Sequence, residues 1–148
     1  MGSLLDYCSE AMQILMSEEN LAAKFRSVTF YSTLSDHRGH FYGITNQGVW
    51  KEVNVIHTRA SQVRGGHFHR YTTEVIFMLA GKANVILTSC DDLNNSTQLI
   101  LSTGEGIEIP PKTLHDFHYL EDSSHLQLLD LPFDPNDQDL FTRDSLLA

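Results

Sequence analysis

Apolar positions along the chain fall into two regimes. Over residues 3–24, Leu4, Leu5, Cys8, Met12, Leu15 and Met16 recur at three- and four-residue steps. That spacing predicts an amphipathic helix, with Ser3 as N-cap and Asp6 in an acidic first turn. From Ser27 onward the period shortens. Runs rich in β-branched and aromatic residues occupy 28–31, 41–44, 50–58, 73–79, 83–88, 97–101, 106–109 and 125–131. Between them lie turn formers: Asp36-His37-Arg38-Gly39, Asn46-Gln47-Gly48, Arg64-Gly65-Gly66, Gly81-Lys82, Asp91 to Asn95, Gly104-Glu105-Gly106 and Pro110-Pro111. Many short strands with no helical stretches between them predict an antiparallel sandwich or barrel. The expected organisation is a helical extension over 1–26, a β-barrel over 27–132, and an acidic tail over 133–148 that forms a short helix or stays loose.

Composition narrows the partners. The chain has 148 residues, the size of one domain, and is long enough to bury a core without a disulfide or metal staple. Its formal net charge of −9 repels nucleic acid. Cys8 and Cys90 form neither CxxC nor CxxH, which fits a reducing cytosol. No basic segment followed by an apolar core opens the chain, and no apolar run approaches the ~20 residues of a membrane span. A cytoplasmic protein with a small-molecule partner is the expectation.

The chemistry concentrates around His67-Phe68-His69. Residues two apart in an extended chain face the same side, so both imidazoles aim one way. Glu74 stands at the head of the apolar run Val75 to Leu79, an odd number of positions from His69. A straight strand would turn it to the opposite face, so a turn through Arg70-Tyr71-Thr72 must bring it round. Gly104, Pro110 and His115 supply a second turn-strand-turn unit carrying one more imidazole. Several His and one carboxylate suit a divalent ion and leave coordination positions open to water or substrate. His125 shares a strand face with Gln127 and Leu129 and is a candidate to enter the barrel near the ion. Tyr71 and Tyr119 are candidate acids, although aromatic packing is their commoner role.

Gly65-Gly66-His67-Phe68-His69 through Glu74 to Gly81 resembles the first cupin motif, and Gly104 through Pro110 and Lys112 to His115 resembles the second. The resemblance covers about residues 50–131. It implies an all-β fold, the double-stranded β-helix or jelly-roll barrel, here with an N-terminal helix added. It also implies metal ligands at His67, His69, Glu74 and His115. Lys112 stands where the second motif usually has Gly, and Tyr119 where it usually has Asn.

Asp36-His37-Arg38-Gly39, although an ordinary polar turn in its own right, together with Arg64-Gly65 before HxH and the strand ending near Arg59 resembles the sugar-nucleotide cupins. These include keto-sugar epimerases and 3,4-ketoisomerases, and the cupin domain of capsular-polysaccharide reductase/epimerases. The resemblance implies a nucleotide-linked keto sugar as substrate, Arg64 on its pyrophosphate, and His67, His69 or Glu74 in catalysis. Tyr71, Lys112 and His125 join Arg64 as candidate substrate contacts, with Lys112 or the metal stabilising an enolate. The metal would be one of Zn, Mn, Fe, Ni or Co. Two other readings stay open: an Fe(II) or Mn(II) dioxygenase, and a non-enzymatic ligand-binding or sensing module. A homodimer is expected by the same resemblance, since apolar edge strands need covering.

Overall fold

The computed structural model describes residues 25–148. The helix expected over residues 3–24 lies outside the described residues. Within them the regular elements are twelve strands and one 3-10 turn. The strands are β1 (Arg26–Thr29), β2 (Ser32–Asp36), β3 (Gly39–Gly43), β4 (Glu52–Thr58), β5 (Val63–His69), β6 (Glu74–Ala80), β7 (Lys82–Ser89), β8 (Ser96–Ser102), β9 (Glu105–Ile109), β10 (Thr113–Tyr119), β11 (Ser123–Leu129) and β12 (Leu140–Thr142). No helix among the described residues is long and apolar enough to cross a membrane.

Two five-stranded sheets carry the fold, ordered β1-β9-β6-β11-β4 and β12-β5-β10-β7-β8; β2 and β3 form a separate hairpin. All pairings are antiparallel. Because side chains alternate, each sheet turns one residue in two toward the other. From β6, β7, β8 and β9 these are Ile76, Met78, Ala83, Val85, Leu87, Leu101, Ile107 and Ile109, all buried. They close one half of the interior with hydrocarbon. In the other half β4, β5, β10 and β11 turn polar side chains inward, and the functional groups lie there.

The chain's last segment departs from the expected helix or loose tail. After Pro132 it folds back, and β12 pairs with β5, setting Leu140 opposite His69 and Thr142 opposite His67. Phe141 stacks on Phe68 at 5.6 Å and lies under the Arg70 guanidinium at 4.4 Å. A 3-10 turn follows at Arg143–Leu146. Asp36 to Gly39 is the turn of the β2–β3 hairpin, with the Asp36 carboxylate accepting from the Arg38 backbone and guanidinium.

Candidate metal centre

Two glycines set the register of the site. On β5, Gly65 takes φ +105° and Gly66 φ +69°. His115 of β10 lies opposite His67, but Asp116 lies opposite Gly65, so Gly66 is an extra residue, a β-bulge. A Cβ on Gly65 would collide with the His115 carbonyl oxygen. The bulge lets the two strands approach closely enough for His67 Nε2 and His115 Nε2 to stand 3.1 Å apart. β5 then ends at His69, and the chain crosses through residues 70–73 to begin β6 at Glu74 in the other sheet. The turn required by the odd spacing is therefore a crossing between sheets, and Glu74 faces the histidines from the opposite wall.

Four atoms converge. Glu74 Oε2 is 3.3 Å from His115 Nε2 and 3.7 Å from His69 Nε2. His67, His69 and Glu74 bring their ligand atoms within 4.8 Å of one another. Donor atoms around a shared ion at about 2.0–2.2 Å stand roughly 3–3.6 Å apart, close to the 3.3 and 3.7 Å from Glu74 to His115 and His69.

The hydrogen bonds behind the ring nitrogens give the same answer. His115 Nδ1 donates to the Thr113 carbonyl at 3.0 Å, which leaves its Nε2 a bare lone pair. His69 Nδ1 donates to Asp139 Oδ2 at 2.9 Å, with the same consequence. Asp139 also accepts from Thr72 Oγ1 at 2.6 Å and from the Tyr71 backbone at 2.7 Å. Burial pushes Asp139 up, but these bonds outweigh it and hold the carboxyl below its usual value. Burial, then the neighbouring His115, pushes the His67 imidazole down to about 4, so it is neutral near pH 7. Glu74 Oε1 accepts from Gln127 Nε2 at 2.7 Å, and Gln127 Oε1 accepts from Asn54, which also donates to Glu52. Among the described residues Glu74 Oε2 and His69 Nε2 are buried with no hydrogen-bond partner. Unpaired lone pairs facing one another in a buried site are costly unless a cation lies between them. The residues fit a divalent ion.

Two cavities meet at this cluster. The inner one, about 410 Å³, lies between the sheets and is lined by Arg64, His67, Glu74, His115, Tyr119 and His125 among others. The outer one, about 540 Å³, lies under the returning C-terminal segment, with His67, His69, Glu52, Asp134, Asp137 and Asp139 on its wall. His67 and Gln127 line both.

Of the residues expected from the sequence, the structure brings His67, His69, Glu74, His115, Arg64 and His125 together. It does not bring Tyr71 or Lys112 to either cavity. The Tyr71 side chain is exposed beside Arg70, and only its backbone N–H serves the site. Lys112 takes φ +59° in the turn before β10, its amide donating to the His69 carbonyl at 2.7 Å, and its exposed side chain extends near Cys90. The turn needs the left-handed conformation that the motif's usual glycine supplies, so Lys112 supports the metal strands with its backbone. Asp139 was missed: it reaches His69 from seventy positions along the chain, and nothing local marks it. Gln127 did have a signal, since it shares a strand face with His125.

An inward-facing three-histidine, one-glutamate cluster between two antiparallel sheets is a cupin jelly roll. The fold is shared with a 3,4-ketoisomerase from Helicobacter canadensis (TM-score 0.69, 20% identity, covering 83% of this chain and 94% of that one). It is also shared with dTDP-4-dehydrorhamnose 3,5-epimerase from Sulfolobus tokodaii (0.70, 20%, 84% and 79%). A third is the sugar 3,4-ketoisomerase from Thermoanaerobacterium thermosaccharolyticum in complex with TDP (0.68, 20%, 83% and 91%). The chain belongs to the family described as the polysaccharide biosynthesis C-terminal domain, whose model matches residues 34–141. No curated protein matches it.

Proposed function

We propose that this chain is an isomerase or epimerase of a nucleotide-linked keto sugar, with a divalent ion held by His69, Glu74 and His115 and with His67 beside it as the base. The observation that carries this reading is the convergence of His67, His69, Glu74 and His115 from both sheets beside a cavity that Arg64 also lines. The sugar-nucleotide chemistry named for the fold neighbours supports the choice of substrate.

Charge selects the cavity. The outer cavity is lined by Glu52, Asp134, Asp137 and Asp139, which repel a diphosphate. The inner cavity has Arg64 at its rim, and a guanidinium matches phosphate oxygens through paired hydrogen bonds. The diphosphate therefore lies at Arg64, and the sugar reaches inward toward His67.

The reaction is proton transfer beside a ketone. The C–H bond breaks, its electron pair passes into the carbonyl as an enolate, and a proton returns to the same or the adjacent carbon. A bound ion supplies Lewis-acid polarisation of the sugar's oxygen. A lone pair that holds an ion cannot also take a proton. His67 lines both cavities and is the member of the set most open to a ligand, so we assign the C–H proton to its Nε2. His69, Glu74 and His115 make up the three protein donors usual in catalytic metal sites without it.

The test combines metal analysis of protein purified without chelator with NMR in D₂O on TDP-4-keto-6-deoxyglucose. Wild type should contain an ion, incorporate solvent deuterium into the sugar and convert it. His67→Gln should keep the ion and lose deuterium incorporation, whereas Glu74→Ala should lose the ion. Iron-dependent oxygen uptake with no deuterium incorporation would refute the proposal and favour the dioxygenase.

A further inference from the structure

Beyond the four converging residues, the inner cavity holds a second polar group that the metal centre does not use. Arg64 Nε donates to Thr58 Oγ1 at 2.7 Å, Thr58 neighbours the Tyr119 phenol, and Tyr119 OH meets His125 Nδ1 at 3.1 Å. Thr58, Tyr119 and His125 are all buried, at 7%, 2% and 4% exposure, so this is an interior arrangement and not a surface one. The Tyr119 and His125 rings lie nearly parallel, 5.9 Å apart, with Phe117 packed beside both.

The direction of the Tyr119–His125 bond follows from the two groups. A phenol O–H is a much stronger acid than the N–H of a neutral imidazole, and an imidazole nitrogen is the stronger acceptor, so the Tyr119 O–H donates to His125 Nδ1. Burial pushes the Tyr119 phenol up to about 12, so it keeps the proton it donates. Burial likewise pushes the His125 imidazole down to about 4 despite the pull of Glu74, so the ring is neutral near pH 7. A neutral ring whose Nδ1 accepts must carry its proton on Nε2. Among the described residues Nε2 has no hydrogen-bond partner, and His125 lines the inner cavity.

His67 and His115 on one sheet, and Glu74 on the other, present lone pairs to the cavity. The Gln127 amide is turned to Glu74, and Arg64 stands at the exposed rim. This leaves His125, on β11 across the cavity from His67 on β5, as the buried N–H donor. An oxygen that gains negative charge in this cavity needs such a donor, and a neutral imidazole is well matched to an enolate oxygen. We propose that His125 Nε2–H donates a hydrogen bond to the sugar's carbonyl oxygen as it becomes an enolate, with Tyr119 as the positioning residue that locks the tautomer. This role rests on the keto-sugar reading above.

The experiment uses the full-length chain with its ion content measured. Histidine-selective ¹⁵N NMR should show His125 protonated at Nε2 and bare at Nδ1, and Tyr119→Phe should disturb that assignment. Adding TDP-4-keto-6-deoxyglucose should shift the Nε2–H signal. His125→Leu should lower kcat by about 10²–10³-fold with KM within a few-fold, and His125→Gln, which keeps an N–H, should lose less. A proton found on Nδ1, or wild-type kcat in His125→Leu, would overturn the inference. If His125→Leu does not fold, the His125→Gln kinetics and the wild-type NMR decide. Wild type that neither exchanges nor converts the sugar would sink the functional reading and this role with it, while the NMR result would still decide the tautomer lock.

Discussion

Asp139→Asn is a test of the metal centre in which almost nothing moves. The Asp139 carboxylate uses both oxygens: Oδ1 accepts from the Tyr71 backbone N–H at 2.7 Å, and Oδ2 accepts from His69 Nδ1 at 2.9 Å and Thr72 Oγ1 at 2.6 Å. A backbone N–H cannot turn away, so an asparagine must keep its carbonyl oxygen at the Tyr71 position. Its NH₂ then faces His69 Nδ1, which has to become an acceptor. The His69 proton moves to Nε2, the atom directed at Glu74, and the ligand lone pair is lost. The Thr72 hydroxyl rotates to accept, so stability should change by no more than about 1 kcal/mol. Ion affinity should fall by about 10–100-fold, the usual range for losing a partner behind a ligating histidine. Asp139→Ala should instead strand three donors and loosen β12, costing about 2–4 kcal/mol after allowance for partial solvent access. Chelator competition gives the affinity, urea denaturation the stability, and ¹⁵N NMR the His69 tautomer. An Asp139→Asn protein that binds its ion with wild-type affinity would refute the reasoning.

Three further outcomes follow from the same geometry. Glu74→Gln keeps the bond to Gln127 but removes a buried, unpartnered charge, so without the ion the variant should be more stable than wild type by about 1–3 kcal/mol. With the ion the order should reverse, read as thermal unfolding with and without chelator; an unchanged order would count against the metal assignment. Gly65→Ala forces a strained φ and a clash with the His115 carbonyl, so it should cost several kcal/mol and abolish ion binding, measured by unfolding and metal analysis. His125 has a folded-state pKa of about 4, below its ordinary 6.5. The unfolded chain therefore binds the extra proton first, and stability is retained above about pH 6.5 and lost as pH falls toward 4, by on the order of 3 kcal/mol in full. In the ion-free protein His125→Gln should flatten the slope of unfolding free energy in that window, and an unchanged slope would show that other groups carry it.

Parts of this molecule were open to reading from the chain alone. Strands β6, β7, β8 and β9 carry a β-rich apolar signal because their inward residues contact hydrocarbon, β11 carries one in the buried Leu128 and Leu129, and β3 and β4 carry one in exposed residues, Phe41, Tyr42, Val53 and Val55. Strands β5 and β10 were not anticipated as regular strands, and they carry three of the four converging residues. Their inward positions are Gly65, His67 and His69, and His115, Phe117 and Tyr119, facing a polar cavity. Neither of these two strands has an apolar alternation to reveal it. β12 is three residues long and pairs only because Phe141 and Asp139 find partners on β5 and the turn after it.

By itself the sequence determined the all-β class, the pairing of HxH with a later histidine, and the residue types able to hold an ion. Those depend on local period and on motif spacing, and both are written along the chain. The tertiary structure alone decided that Glu74 reaches the histidines by crossing to the opposite sheet, and that Asp139 fixes the His69 tautomer from the C-terminal segment. It also decided that Lys112 and Tyr71 stand aside while Tyr119 and His125 meet beside the inner cavity. Each of these depends on which strands become neighbours when the two sheets bury their apolar faces together. That is a property of the whole barrel, and no local spacing encodes it.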